Sequence, residues 1–193
     1  MVYGKYRESR NASWETLIEL GVNSLPVMPL DLCKQVGIKV YKNSDIGLLS
    51  ETQIGLSFYH NGSFRIIIDD KQIVTRRRFT LAHELGHIVL GHLLVDTPQG
   101  RTFDISKTET EHQANVFASR LLAPACVLWG INAHTTEQIA SVCNISYEAA
   151  KIRSERMEIL YKRGKFLTSP LEQQVYKQFE NYIKITACNK AVK

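Results

Sequence analysis

The stretch Phe79-Thr80-Leu81-Ala82-His83-Glu84-Leu85-Gly86-His87-Ile88-Val89-Leu90 decides how this chain is read. It is apolar on almost every side, which predicts a buried central helix. Thr75 is placed to cap its start and Gly91 to end it. Residues i and i+4 of a helix share one face, so His83 and His87 can hold a single zinc ion at about 2.0 Å each. Glu84 projects beside that face and can accept a proton without being a ligand. Gly86 is expected to leave room beside the metal. Zinc would lower the pKa of water from 15.7 toward ~7 and polarise a scissile carbonyl. A carboxylate beside it would take the water proton and return it to the leaving amine.

A catalytic zinc site needs a third protein ligand and an open position. His92 and Glu111 are the two candidates. Metzincin-type sites place glycine three residues and histidine six residues after the second ligand, whereas Leu90 and Leu93 stand there in this chain. If the helix continues, His92 is rotated away from the His83/His87 face and reads as a structural or surface histidine. Glu111 begins Glu111-His112-Gln113-Ala114-Asn115 on the next predicted helix, as in gluzincin-type sites, with Glu109 and Asp104 as rivals. Asn115, four residues on, shares its face and can hydrogen-bond a ligating histidine.

Outward from this centre, residues 46–70 are rich in strand formers, and Asn61-Gly62 separates two such runs. Asn-Gly favours a tight hairpin turn, so a small antiparallel sheet is expected. The strand at 64–68 leads into the active-site helix and is expected at the sheet edge, where an extended substrate could pair with it; an interior position is the alternative. Short helices are expected at 13–20 and 31–36, with a strand at 38–41. A polar loop at 96–107 precedes a helix at 108–122. Helices at 136–143, 146–163 and 171–184 complete the chain. The fold class is α+β, with a catalytic domain over 1–125 and a helical C-terminal subdomain over 126–193.

The 193 residues, 44% hydrophobic and 22% charged, suit an ordinary globular core. A net charge of +5 permits an acidic partner without requiring one. Cys33, Cys126, Cys143 and Cys188 form no Cys-x-x-Cys pair, so they read as thiols in a reducing compartment. No apolar run approaches the ~20 residues of a membrane span, and residues 1–11 lack an apolar signal core. A cytoplasmic protein without membrane contact is expected.

The segments Arg77-Arg78-Phe79-Thr80-Leu81-Ala82-His83-Glu84-Leu85-Gly86-His87-Ile88-Val89-Leu90-Gly91-His92 and Glu111-His112-Gln113-Ala114-Asn115-Val116-Phe117-Ala118-Ser119-Arg120-Leu121-Leu122-Ala123-Pro124 closely resemble the ImmA/IrrE family of bacterial metallopeptidases. The resemblance is dense over 64–124 and absent beyond 169. It implies a zincin-like domain and intracellular zinc proteolysis of helix-turn-helix repressors from phages, mobile elements or stress regulons. By match, His83, His87 and Glu111 become ligands and Glu84 the general base. Gln113 departs from the family, whose members often carry glutamate there. The sequence has no helix-turn-helix at its N-terminal end of the kind fused to some relatives, so a DNA-binding partner is expected on another polypeptide.

Two weaker signals remain. Arg76-Arg77-Arg78 opens the central helix, where positive charge is unfavourable; Asp69 and Asp70, or an acidic substrate, could answer it, or the patch is simply solvated. Residues 136–150 have helix-turn-helix texture, with Ile139, Ala140, Ile145 and Ala149 as a small core. Lys151, Arg153, Arg156, Lys162 and Arg163 follow as possible phosphate contacts. The rival to a peptidase is therefore a regulatory or DNA-binding protein that uses the zinc fold as a scaffold. A hydrolase of small peptides or amides is a third reading.

Overall fold

A computed structural model describes residues 6–94 and 107–191. Asp104 and nearly all of the predicted polar loop lie outside them. The elements are α1 (Arg7–Glu19), α2 (Pro29–Gln35), β1 (Lys39–Lys42), α3 (Asn43–Ile46), β2 (Gly55–His60), β3 (Ser63–Ile68), α4 (Val74–Val89), a 3₁₀ turn (His92–Leu94), α5 (Lys107–Leu122), α6 (Ala125–Gly130), α7 (Thr136–Cys143), α8 (Tyr147–Arg163), α9 (Pro170–Gln178) and α10 (Glu180–Ala191). The class is α+β. Two compact units divide the chain, one holding 1–12 and 28–118, the other 13–27 and 119–193. No helix of the described residues is long and apolar enough to cross a membrane.

In the first unit, β2 and β3 form the antiparallel hairpin that Asn61-Gly62 predicts. His60 pairs with Ser63, and both turn residues have positive φ, 48° and 75°. β1 adds to β3 in parallel, so the sheet is mixed rather than wholly antiparallel, in the order β1-β3-β2. The strand expected at the edge is therefore the interior one. Ile66 and Ile67 explain why: consecutive strand residues point to opposite faces, and both are buried, so β3 is covered on both sides. Among the described residues, the edge strand beside α4 is β2.

Helix α4 packs on β2, β3 and α2 and buries Leu81, Ala82 and Leu85. Its N-cap is Ile73, without a side-chain cap, and Thr75 lies inside the first turn; the Arg77 N–H already bonds the Ile73 carbonyl at 3.0 Å. Gly91 ends the helix at φ 74°, a left-handed conformation that glycine adopts without a Cβ clash. Of the arginine cluster, Arg78 is buried and donates to the Met28 sulfur at 3.1 Å. Asp69 instead accepts from the Lys71 N–H and the Gln72 amide, and Asp70 from the Ser44 N–H.

In the second unit, α7 and α8 form a helical hairpin. A reciprocal capping box of Thr135 and Gln138 starts α7, and Ser146 caps α8; such caps are worth about 1 kcal/mol each. Asn144, at φ 50°, makes the left-handed turn between them. Ile139, Cys143, Ile145 and Ala150 form the buried seam, with Ala150 in the place expected for Ala149. Arg153 is also buried, and it donates to the Ala123 carbonyl, which removes it from any phosphate-facing surface. The helix expected at 171–184 is two helices, broken at Phe179, whose side chain is fully buried.

All four cysteines are free; Cys33, Cys126 and Cys143 are buried and Cys188 is exposed. Burial pushes the Cys33 and Cys126 thiols up to about 12, so neither forms the reactive thiolate near neutral pH. An alkylating reagent at about pH 8 is expected to label Cys188 alone in the folded protein and all four thiols after denaturation, as counted by intact mass. Native labelling of Cys33 or Cys126 would contradict the packing.

Candidate metal centre

His83 and His87 lie one turn apart on α4, and Glu111 reaches them from α5. One ligand atom from each converges so that all three lie within 4.8 Å of one another. The Nε2 atoms of His83 and His87 are 3.0 Å apart. Glu111 Oε2 lies 3.2 Å from His83 Nε2, and its Oε1 lies 3.5 Å from His87 Nε2. Among the described residues, Glu111 is the carboxylate that joins the two histidines, and Glu109 does not.

The protonation pattern tests whether a cation fits. Asn115 Oδ1 accepts from His83 Nδ1 at 3.0 Å, so in a neutral ring the proton sits on Nδ1 and Nε2 is a lone pair. Burial, the largest influence, pushes His87 down to about 4, so its ring is neutral near pH 7. The centre thus gathers imidazole lone pairs and a carboxylate oxygen around one point. Two histidines and a carboxylate match the donor set of catalytic zinc.

Two further residues shape the site and carry no local signal in the sequence. Ser57 on β2 donates its hydroxyl to Glu84 Oε2 at 2.6 Å. Burial pushes the Glu84 carboxyl up, against the opposing pull of that hydrogen bond and of His83. The Ser57 hydroxyl and backbone hold the Glu84 carboxylate, and burial makes it a better proton acceptor. Gly55 lies two residues earlier on the same strand face, and a Cβ there would sit 2.5 Å from Thr80 Cγ2 and 2.8 Å from Glu84 Oε1. The glycine lets β2 lie directly against the turn of α4 that bears Glu84.

Gly86 differs from expectation. Its missing Cβ faces the Phe117 ring, with Cδ1 2.9 Å from where that Cβ would be, and does not make room at the metal. It brings α5, which carries Glu111 and Asn115, close to α4. His92 also differs. The helix does not continue past Val89. Gly91 turns the chain, and the 3₁₀ turn returns His92 to within 2.9 Å of His87, Nδ1 to Nδ1.

Residues 33–155 match the IrrE N-terminal-like domain of peptidase family M78. The chain belongs to this family. The match covers well over half of the sequence and includes all of α4, the residues described in α5 and the sheet beside them. No curated protein matches the chain. This M78 metallopeptidase has an α+β fold of the zincin-like kind, and its histidine-bearing helix lies in the matched domain.

Proposed function

We propose that this M78 peptidase is a zinc-dependent endopeptidase that cuts a regulatory protein, a helix-turn-helix repressor, in the bacterial cytoplasm. The convergence of His83, His87 and Glu111, with Glu84 beside them, carries this reading. When bound, zinc supplies Lewis acidity that makes water nucleophilic near neutral pH and polarises the scissile carbonyl. Asn115 holds the His83 ring so that Nε2 faces the metal position. Ser57 orients the Glu84 carboxylate, which takes the water proton and delivers it to the departing amine.

The position of β2 supports a polypeptide substrate. Among the described residues it is an edge strand, so an extended segment could add to it beside Glu84. The repressor as substrate rests on the resemblance described above. Three buried free thiols support a reducing compartment. The scaffold-only DNA-binding reading has less support: Arg153 is buried, and the Tyr147 hydroxyl at the start of α8 is tied to Glu137 at 3.0 Å.

Metal analysis tests the proposal. Wild type supplied with zinc is expected to hold about one ion per chain, and Glu111→Ala to lose most of it. Repressors purified from the same genome are then incubated with both proteins, with and without chelator, and read by mass spectrometry. Chelator-sensitive cleavage by wild type alone supports the reading. Wild type that binds no zinc refutes it. Cleavage that persists in chelator refutes the zinc mechanism.

A further inference from the structure

A chain of hydrogen bonds runs from His87 through His92 to Gln113 on α5. Gln113 Oε1 lies 2.9 Å from His92 Nε2. An amide oxygen only accepts, so the His92 proton sits on Nε2. A neutral His92 then has a bare Nδ1, which faces His87 Nδ1 at 2.9 Å. One of those two nitrogens must donate, and only His87 can. The His87 proton therefore sits on Nδ1, and its Nε2 is a lone pair directed at Glu111 and His83. The two ring planes stand at 70°, with centroids 5.0 Å apart, so the contact runs from ring edge to ring edge and is not a stack.

We propose that His92 and Gln113 are positioning residues, a two-step relay that fixes the tautomer and orientation of His87 as a metal ligand. The proposal rests on the metal-site reading above. The Nδ1 of His83 has a direct partner on α5 in Asn115, whereas the Nδ1 of His87 reaches α5 through His92. The left-handed Gly91 makes the relay possible, because it ends α4 and returns His92 to the ligand one turn back. A relay of this kind sets the ligand's basicity and holds its ring still. Losing such a partner typically costs 10–100-fold in metal affinity.

The test uses the full chain and two metals. Zinc affinity is measured by competition with a chromogenic chelator, and cobalt(II) spectra report ligand geometry. Gln113→Met, close in size but without the amide oxygen, is expected to lose about 10-fold or more in zinc affinity and to shift the cobalt absorption bands. His92→Phe, which keeps a ring and loses both nitrogens, should show the same pair of changes. Gln113→Glu restores an acceptor and should restore both readouts. Melting temperatures of the metal-free proteins separate folding from ligation, since a residue that only packs would change those alone. Wild-type affinity and spectrum in either Gln113→Met or His92→Phe overturns the relay while the metal site stands. A wild type that binds neither metal overturns the metal site and the relay with it.

Discussion

Glu84→Gln is expected to slow peptide cleavage by about 10²–10⁴-fold, the range for loss of a general acid–base group. The metal should stay bound, because the ligand set does not include Glu84. Glutamine keeps the shape of glutamate, and its amide oxygen can still accept from the Ser57 hydroxyl now 2.6 Å away. What it cannot do is take a proton from water. Metal content, melting temperature and the rate of peptide cleavage, measured on the same preparation, separate these effects. Normal metal content with lost turnover assigns proton transfer to Glu84. Cleavage at the wild-type rate would mean that another group is the base. An inactive variant that still binds metal would also retain substrate, and so capture it.

Gly86→Ala is expected to destabilise the fold, although alanine in place of glycine in a helix interior ordinarily stabilises by up to ~1 kcal/mol. The new Cβ would lie 2.9 Å from Phe117 Cδ1, 3.2 Å from Cγ and 3.3 Å from Cβ. Phe117 is fully buried, so its ring would have to shift within a close-packed interior. Overpacking of this kind costs about 1–3 kcal/mol, which exceeds the propensity gain and sets the sign. Denaturant unfolding of Gly86→Ala, Phe117→Leu and the double variant forms a cycle. The double variant should be more stable than the two single changes add up to, because the shorter side chain vacates the space the methyl needs. Strict additivity would show that the two residues do not press on each other. Zinc affinity should fall with stability in Gly86→Ala, since the same displacement moves Glu111 and Asn115 on α5 away from α4.

The sequence by itself determined whatever depends on short spacing. His83 and His87 four residues apart had to share a helix face. Asn61-Gly62 had to make the tight turn of a hairpin. Glu111 and Asn115, also four apart, had to present carboxylate and amide along one line. The ranges expected for α7 and α8 agree with the structure to within a residue, because their capping hydrogen bonds close locally. Whatever depends on contacts between distant segments was decided only by the tertiary structure. The central place of β3 followed from a parallel neighbour, β1, that no hairpin signal announces. Ser57 meets Glu84 from 27 residues away, and nothing local distinguishes it from an ordinary strand serine. Gly86 looked like space for a metal and proved to be space for Phe117. His92 would face away from His87 on a continuous helix, and one left-handed residue, Gly91, returns it to His87. Periodicity fixes direction along a single element, whereas the side chains that aim and hold the site come from elements whose packing only the folded chain defines.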